Sequence, residues 1–584
     1  MNQETKNTSA PFDAAQDGNS VRVCQNCKQE FVIEPEDFVF YEKMKVPAPT
    51  FCPECRFQRR MMFRNERVLY KRKCDLCSKD MVTIFSPDSK LVVYCPACWW
   101  SDDWDDGEHF LEYNPARTFF EQMIELQKKT PHMALITDHA TLINSDYVNH
   151  AGSLKNCYLI FNADFCENVL YSTIMVRTKD SLDCYMVGES ELMYQAIDCG
   201  DSYRLFFCES CGKCSDSYFL KNCTGCDNCF GCINLRNKKY HIFNEPYTRE
   251  EYFQKIKEYK LDNYAELLKA RKSVDAFWLQ HPNKYMHNNA QCVNVSGDYV
   301  FSAKNALNCY QVRQLEDARY CQFITMSPAK DIYDLSEWGN GVQRIVDSLT
   351  VGEGADMVKF CCGAWHQGTM EVEYGMYNVS CQYVFGCMNQ KKKRYRILNK
   401  QYSPEEYATL RVRIVEDMDK NPYVDSTGRA WRYGDYLPYD LSPFMYNESQ
   451  AIQYYPLLKE EVLKNGWRWR DSVASNYAIT LPADKIPDNI YDVQDSILKE
   501  ILGCCLCGKA FKITSAELAL LRRFDFPIPR FCPDCRHMER LARINPPKLW
   551  DRTCAKCGKE IKTSYSPDRP EIIYCESCYN AEVA

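Results

Sequence analysis

Sixteen cysteines in two sets could bind metal, because every one of them belongs to a C-x-x-C pair. The first set lies near the N-terminus and the second near the C-terminus. The sets are Cys24, Cys27, Cys52, Cys55, Cys74, Cys77, Cys95 and Cys98, and Cys504, Cys507, Cys532, Cys535, Cys554, Cys557, Cys575 and Cys578. Each pair can supply two thiolates to a tetrahedral ion, so the pattern predicts four Zn²⁺ in the chain.

The two sets are copies of one module. Every cysteine of the second set lies 480 positions after its counterpart, as Cys504 lies after Cys24. The same offset relates Phe51 to Phe531 and Arg56 to Arg536. The register is kept without an insertion, which indicates an internal duplication.

The predicted ions are structural, because four thiolates leave no position for water or a substrate. Two groupings fit the spacing of each module. Sequential grouping places Cys24 to Cys55 around one ion and Cys74 to Cys98 around the other, whereas cross-bracing would alternate the pairs. The shorter sequence separation favours the sequential grouping.

The first half of the module resembles the bacterial zinc-ribbon (treble-clef-like) family. The residues that carry the resemblance are Cys24-Gln25-Asn26-Cys27, Phe31, Glu34, Glu36, Asp37, Tyr41, Pro49 and Phe51-Cys52-Pro53-Glu54-Cys55-Arg56. The C-terminal copy keeps Phe511, Glu517, Pro529 and Cys532 to Arg536 but has Leu521 in place of the tyrosine. The whole chain is also similar to large uncharacterised bacterial proteins with this ribbon at both ends. The resemblance implies a fold and a metal, and carries no activity.

Composition places the chain among globular proteins of several domains. It has 584 residues, 45% of them hydrophobic, and a net charge of −7, so a nucleic-acid-binding surface would have to be local. The first twenty residues are polar and unlike a signal peptide, and no apolar run is long enough to span a membrane. With 35 cysteines and no export signal, we expect a cytoplasmic protein that uses cysteine for metal or for its core.

The centre of the chain contains a second duplication. Asn156-Cys157-Tyr158 recurs 152 positions later as Asn308-Cys309-Tyr310, and Phe230-Gly231-Cys232 recurs 155 positions later as Phe385-Gly386-Cys387. Short polar-to-apolar segments between Asp, Asn, Ser and Gly predict β structure of a solenoid kind. Capping boxes at Thr248 to Glu251 and Ser403 to Glu406 predict a helix after each copy.

The predicted fold class is therefore multidomain α+β, with tandem zinc-ribbon or treble-clef modules at both ends and two β-rich, solenoid-like domains between them. The expected boundaries are 20–105 for the first zinc module, 130–280 and 285–420 for the two central domains, 421–500 for an aromatic-rich connector and 501–584 for the second zinc module.

Seven further cysteines lie close together inside the first central domain, from Cys208 to Cys232. The favoured interpretation is that they line the solenoid, and the alternatives are an extra zinc or an iron–sulfur cluster. The second copy keeps cysteine at two of these positions only, Cys381 and Cys387, which argues against a dedicated cofactor site.

Arginines between the metal pairs predict a phosphate-binding surface. The possible nucleic-acid contacts are Arg56, Arg60, Arg64, Arg72, Arg536, Arg540 and Arg552. The alternative is that they pair with acids of the same protein, for which the stretch from Asp102 to Glu108 is available.

No catalytic residues can be nominated. The sequence contains no P-loop, dinucleotide fingerprint, H-E-x-x-H array or G-x-S-x-G elbow. We therefore expect a zinc-binding, non-catalytic binding or scaffold protein whose arginine-rich zinc modules could engage nucleic acid or a protein partner. A scaffold for protein partners alone and an iron–sulfur or redox protein are the alternatives, and an enzyme is the less favoured interpretation. No small-molecule substrate is indicated.

Overall fold

The structure, a computed structural model, describes residues 20–288, 291–471 and 477–583. The chain forms two compact units. Unit 1 contains residues 1–134 and 287–470, and unit 2 contains residues 135–286 and 471–584. Each unit combines one terminal cysteine module with the central repeat domain that is more distant from it in sequence. The predicted fold class, α and β elements with a β-solenoid centre and cysteine modules at both ends, is confirmed.

A period of three residues builds the solenoid of unit 2. Every third residue from Val148 to Cys232 is buried, and all of these are small or aliphatic: Ala, Val, Ile, Leu, Met, Ser, Thr or Cys. From Ala151 onward, the residue before each buried one has a positive φ. Asn tolerates that conformation better than other side chains do, which explains why Asn156 precedes the buried Cys157.

Parallel strands stack these triplets into coils. Tyr185 pairs with Ile197 and Ile197 with Glu209, so one coil contains twelve residues, or four triplets. The strands are Leu142–Ile143, Val148–Lys155, Ile160–Leu170, Thr173–Leu182, Tyr185–Glu191, Ile197–Gly200, Tyr203–Phe206, Glu209–Gly212 and Ser215–Tyr218. The antiparallel pair His241–Ile242 and Glu245–Pro246 follows, and then the helices Arg249–Glu258 and Tyr264–Trp278 and the strand Asn283–Lys284.

The solenoid of unit 1 follows the same plan, with twelve-residue coils where Gln382 pairs with Arg394 and a longer coil where Ala329 pairs with Val342. Its strands are Val293–Phe301, Lys304–Arg313, Leu315–Arg319, Ala329–Gly339, Val342–Gly352, Asp356–Lys359, Cys362–Trp365, Met370–Glu373, Met376–Val379, Gln382–Phe385, Arg394–Ile397 and Lys400–Gln401. The helix Pro404–Lys420 comes next and buries Tyr407, Ile414 and Met418. Both predicted capping boxes, at Thr248 and Ser403, are confirmed.

The two cysteine modules have matching elements. In unit 1 these are Ser20–Val23, Glu30–Ile33, helix Pro35–Met44, helix Pro53–Met61, Tyr70–Lys73, Asp80–Thr83, Val93–Tyr94 and helix Pro96–Trp100. In unit 2 they are Leu502–Gly503, Ala510–Phe511, helix Ser515–Phe524, helix Pro533–Ala542, Trp550–Thr553, Glu560–Thr563, Ile573–Tyr574 and helix Glu576–Val583. In unit 1 the module continues into helix Phe119–Lys129 and strand His132–Met133, which pairs with Val93–Tyr94.

The aromatic-rich connector divides between the two units, and its first part, residues 421–470, packs inside unit 1. Trp431, Tyr436 and Trp467 are buried, and the ring of Trp431 lies 5.1 Å from that of Phe51 in the cysteine module. This part of the chain contains the hairpin Tyr423–Val424 and Ala430–Trp431 and the short helices Ala451–Tyr454 and Lys459–Lys464. Searching the described residues for a helix long and apolar enough to cross a membrane finds none.

Candidate metal centres

Four groups of cysteines converge in the structure, two in each module. In each group the four sulfurs lie within 4.8 Å of one another. The groups are Cys24, Cys27, Cys52 and Cys55; Cys74, Cys77, Cys95 and Cys98; Cys504, Cys507, Cys532 and Cys535; and Cys554, Cys557, Cys575 and Cys578. The sequential grouping that the sequence favoured is the one that the structure has.

The spacing of the sulfurs suits a tetrahedral thiolate shell. The Sγ atoms of Cys27 and Cys52 are 3.8 Å apart, those of Cys77 and Cys95 are 4.0 Å apart, and the matching pairs in unit 2 are both 3.8 Å apart. A tetrahedral ion with Zn–S bonds of about 2.3 Å would hold its sulfurs about 3.8 Å apart. The donor set is closed because all four ligands come from protein, so the groups could hold a metal ion that supports the fold.

The same backbone hydrogen bond and the same turn position the sulfurs in all four sites. In the first site, the amide of Cys52 donates to Cys24 Sγ at 3.3 Å, and equivalent bonds occur in the other three sites. The residue after the second cysteine of the first pair takes a left-handed conformation in all four sites. These residues are Lys28 (φ 62°), Ser78 (φ 60°), Gly508 (φ 71°) and Gly558 (φ 73°).

The first site of each module also begins a helix. Cys52 is the N-cap of helix Pro53–Met61, and Cys532 is the N-cap of helix Pro533–Ala542. The last cysteine of each site, Cys55 or Cys535, lies in the first turn of that helix. We call these two segments the docking helices, because the arginines that follow the cysteines contact the solenoid of the same unit.

In unit 1, the arginines of the docking helix are buried against carboxylates. Arg56 Nη2 lies 2.8 Å from Asp334 Oδ2, and Arg60 Nη1 lies 3.3 Å from Asp334 Oδ1 and 2.7 Å from Asp347 Oδ1. Arg59 pairs with the same Asp347 at 2.6 Å. These five side chains are nearly inaccessible, so the charges are satisfied within the protein.

Unit 2 repeats the arrangement with one solenoid carboxylate. Arg536 Nη1 lies 2.8 Å from Asp183 Oδ2, and Arg540 Nη1 lies 2.9 Å from Asp183 Oδ1. Arg536 also contacts Glu517 of its own module at 2.9 Å. Burial raises the pKa of the Glu517 carboxyl above its ordinary value, although Arg536 opposes that shift.

The seven arginines predicted to contact nucleic acid therefore divide into two groups. Arg56, Arg60, Arg64, Arg536 and Arg540 are buried, with Arg64 paired to Glu66 at 2.6 Å, and their guanidinium groups are not available to a phosphate in this structure. Arg72 and Arg552 are half-buried; Arg72 pairs with Asp75 at 2.9 Å, and Arg552 donates to the carbonyl of Ser566.

The acidic stretch after the first module contacts other cations. Asp106 Oδ1 lies 2.8 Å and Asp105 Oδ1 lies 3.4 Å from Lys393 Nζ. The partners of the arginines are instead Asp183, Asp334 and Asp347, which sequence reasoning did not single out. Asp183 and Asp334 lie 151 positions apart, which is not the offset of 152 that relates the first part of the two copies, so the repeat alone would not have paired them.

The central cysteines line the solenoids as thiols. Each sulfur from Cys157 to Cys232 donates to the carbonyl two residues before it, as Cys211 does to Glu209 at 3.2 Å. Burial raises the pKa of Cys157 to about 11 and that of Cys166 to about 12. Among the residues that the structure describes, the groups with metal-binding geometry are the four terminal ones, and Cys208 to Cys232 do not add a fifth.

Comparison with known proteins adds little. No protein-family model and no curated protein matches the chain. A crystal structure from Desulfovibrio desulfuricans G20, described as a "putative acetyltransferase", is 9% identical over 49% of this chain and 84% of its own, with a TM-score of 0.09. A likeness at that score carries no argument. The four cysteine groups are consistent with zinc-ribbon-like modules, and membership of the bacterial zinc-ribbon family stays a prediction.

Proposed function

We propose that the protein is a zinc-stabilised, non-catalytic scaffold in which each zinc module locks onto one solenoid. Zn²⁺ is the ion best suited to four thiolates at this spacing, and a closed shell supplies folding free energy rather than reactivity. A reducing compartment such as the cytoplasm fits the free state of the cysteines.

One observation carries the proposal: the cysteines that close the first site of each module lie on the docking helix itself. Cys55 immediately precedes Arg56, and Cys535 immediately precedes Arg536. A metal ion that fixes the start of the helix also fixes the direction in which the arginines point. Metal binding and docking of the module are therefore coupled.

The scaffold role is favoured over nucleic-acid binding because most of the arginines that would contact phosphate are paired inside the protein. A protein that grips phosphate with these groups would first have to break buried ion pairs, at a cost of about 3–5 kcal/mol each. It is favoured over an iron–sulfur or redox protein because the central sulfurs lie along the interior of the solenoid, each within hydrogen-bond distance of a backbone carbonyl.

Removal of zinc tests the proposal. The full-length protein is treated with a chelator under reducing conditions, and amide hydrogen exchange is compared before and after. We expect faster exchange in Pro53–Met61 and Pro533–Ala542, with the solenoid strands still protected. Unchanged exchange in both docking helices after complete metal removal would show that metal does not hold the modules in place.

Nucleic-acid binding is checked on the same protein. Titration with labelled DNA and RNA at low and at physiological salt should show no saturable complex. Salt-sensitive binding that weakens with Arg72→Ala and Arg552→Ala would instead support the function predicted from the arginine-rich sequence.

A further inference from the structure

The hairpin that opens the N-terminal module presents an apolar surface and an open strand edge. Val21, Val23 and Val32 are 58%, 60% and 45% exposed, and Val21 lies directly opposite Val32 in the antiparallel pair. Among the described residues, Ser20–Val23 and Glu30–Ile33 form a sheet of two strands only. Exposed edges of this kind template the addition of another strand.

The duplicate module in unit 2 shows what covers the equivalent edge. There, the segment Ile479–Leu481 runs parallel to strand Leu502–Gly503, with Leu481 bridged to Leu502. The amides of Thr480 and Leu481 donate to the carbonyl of Ile501 at 2.9 and 3.1 Å, and the amide of Gly503 donates to the carbonyl of Leu481 at 3.2 Å.

The side chains of the two modules match this difference. At the shared offset of 480, Ile501 and Gly503 correspond to Val21 and Val23. A Cβ atom at Gly503 would meet Ile479 Cδ1 at 3.1 Å, so the isoleucine lies over that face of the hairpin. In unit 1 the corresponding face carries exposed valines.

We propose that the edge strand Ser20–Val23 is a docking site for an extended aliphatic segment of a partner protein, added as a parallel third strand. Backbone hydrogen bonds to residues 21 and 23 would give affinity, and contact of aliphatic side chains with Val21, Val23 and Val32 would give selectivity.

Two other occupants fit less well. Residues 1–19 of this chain contain no Val, Ile or Leu, so they lack the side chains that cover the edge in unit 2. Two copies of the same edge related by a two-fold axis would pair antiparallel, whereas the pairing in unit 2 is parallel. The proposal extends the scaffold role by naming the kind of partner.

The test uses full-length protein and a fluorescent synthetic peptide that copies residues 477–485 of this chain. We expect saturable binding that becomes at least about tenfold weaker in the double variant Val21→Lys and Val32→Lys, because lysine removes the apolar contacts. A peptide N-methylated at the two amides that correspond to Thr480 and Leu481 should bind equally weakly. Val39→Lys is the matched control, since Val39 is 61% exposed in the same module but lies in helix Pro35–Met44.

Three results would overturn the proposal: no binding at millimolar peptide, binding that Val21→Lys and Val32→Lys leave unchanged, or a dimer of the chain that the double variant dissociates. The zinc content of each sample separates this proposal from the scaffold role. Four zinc ions without peptide binding would reject the docking site alone.

Discussion

The two docking interfaces share arginine at two matching positions, Arg56 and Arg60 in unit 1 and Arg536 and Arg540 in unit 2, but obtain their carboxylates differently. In unit 1, the solenoid supplies both Asp334 and Asp347 to the docking helix. In unit 2, the solenoid supplies Asp183 to Arg536 and Arg540, and the second carboxylate of Arg536, Glu517, belongs to the cysteine module.

Asp37 is the residue of unit 1 that corresponds to Glu517, but it pairs with the solenoid and not with its own module. Asp37 Oδ1 lies 3.0 Å from Arg319 of the solenoid, rather than contacting an arginine of its own docking helix. In unit 1, the acids Asp334, Asp347 and Asp37 all take part in contacts between the module and the solenoid.

In unit 2, Arg536 and Arg540 share Asp183, and Arg543, which follows the docking helix, pairs with Glu209 of the solenoid. The duplication has kept arginine at two positions of the docking helix and redistributed the acids.

The largest effect should follow loss of a metal ligand in the docking helix. We expect Cys55→Ser and Cys535→Ser each to lose one ion and most of the binding free energy of that site, about 10 kcal/mol. The readout is the metal count together with hydrogen exchange in the docking helix of the affected unit. Both docking helices begin at a candidate metal site, so each variant should affect the helix of its own unit. If only one of the two variants had this effect, the two ends of the chain would not be equivalent.

Removal of the solenoid aspartate tests whether the two docking helices depend on it equally. Asp183→Ala leaves the buried Arg540 without a carboxylate among the residues that the structure describes, so we expect a loss of about 3–5 kcal/mol in the stability of the docked helix. Asp334→Ala should cost a similar amount, because Asp347 still faces Arg60 but the buried Arg56 loses its carboxylate, as Arg540 does in unit 2.

Native-state hydrogen exchange of the two helices measures both losses, with Asp356→Ala as a partly exposed control in the solenoid of unit 1. A loss from Asp334→Ala much smaller than that from Asp183→Ala would contradict the view that Arg56 depends on Asp334.

One buried position carries histidine in unit 1 and asparagine in unit 2, so the stability of unit 1 should depend on pH through this histidine. His132 is buried beside strand Val93–Tyr94, and burial lowers its pKa to about 4. Asn283 occupies the same place beside Ile573–Tyr574 in unit 2. Because the folded pKa is below the unfolded value of about 6.5, the stability of unit 1 is complete above that pH and falls by up to about 3 kcal/mol as the pH drops toward 4.

The exchange His132→Asn should remove this component, and Asn283→His should introduce one into unit 2. Thermal unfolding at pH 7 and pH 5, with the zinc content checked in each sample, measures the difference between wild type and variant. A wild-type protein and a His132→Asn variant with the same pH dependence would show that His132 is not buried in its neutral form.

The smallest expected effect on stability comes from the residue with positive φ that follows the first C-x-x-C pair of each site. Unit 2 places Gly508 and Gly558 there, whereas unit 1 places Lys28 and Ser78 in a conformation that strains a side chain. We expect Lys28→Gly and Ser78→Gly to stabilise the N-terminal module by about 0.5–1 kcal/mol and Gly508→Ala to destabilise the C-terminal one by a similar amount. Hydrogen exchange of the hairpins measures each change in stability. If Lys28→Gly were destabilising, the claim that the positive φ strains Lys28 would be wrong.

Much of the fold could be predicted because it rests on short-range patterns. The C-x-x-C pairs at one offset gave the four metal groups, and the capping boxes at Thr248 and Ser403 gave the helices after each solenoid. The Asn-Cys-Tyr motif gave the β repeat, although its physical cause, a left-handed residue before each buried one, becomes clear only from the backbone.

What the sequence could not supply was the long-range pairing. Arg56 and Asp334 are 278 residues apart, and a nearer acidic stretch offered equally plausible partners. Which solenoid a module contacts depends on surfaces that form only after both have folded. The sequence therefore showed the arginines of the docking helices without their buried aspartate partners, and they resembled a phosphate-binding surface.

Native mass spectrometry of the full-length protein, purified without added metal, tests the central claim most directly. We expect four zinc ions per chain and no iron, with the ions lost in two pairs as the two modules unfold. A chain that folds with fewer than four ions, or that holds iron in their place, would contradict the account.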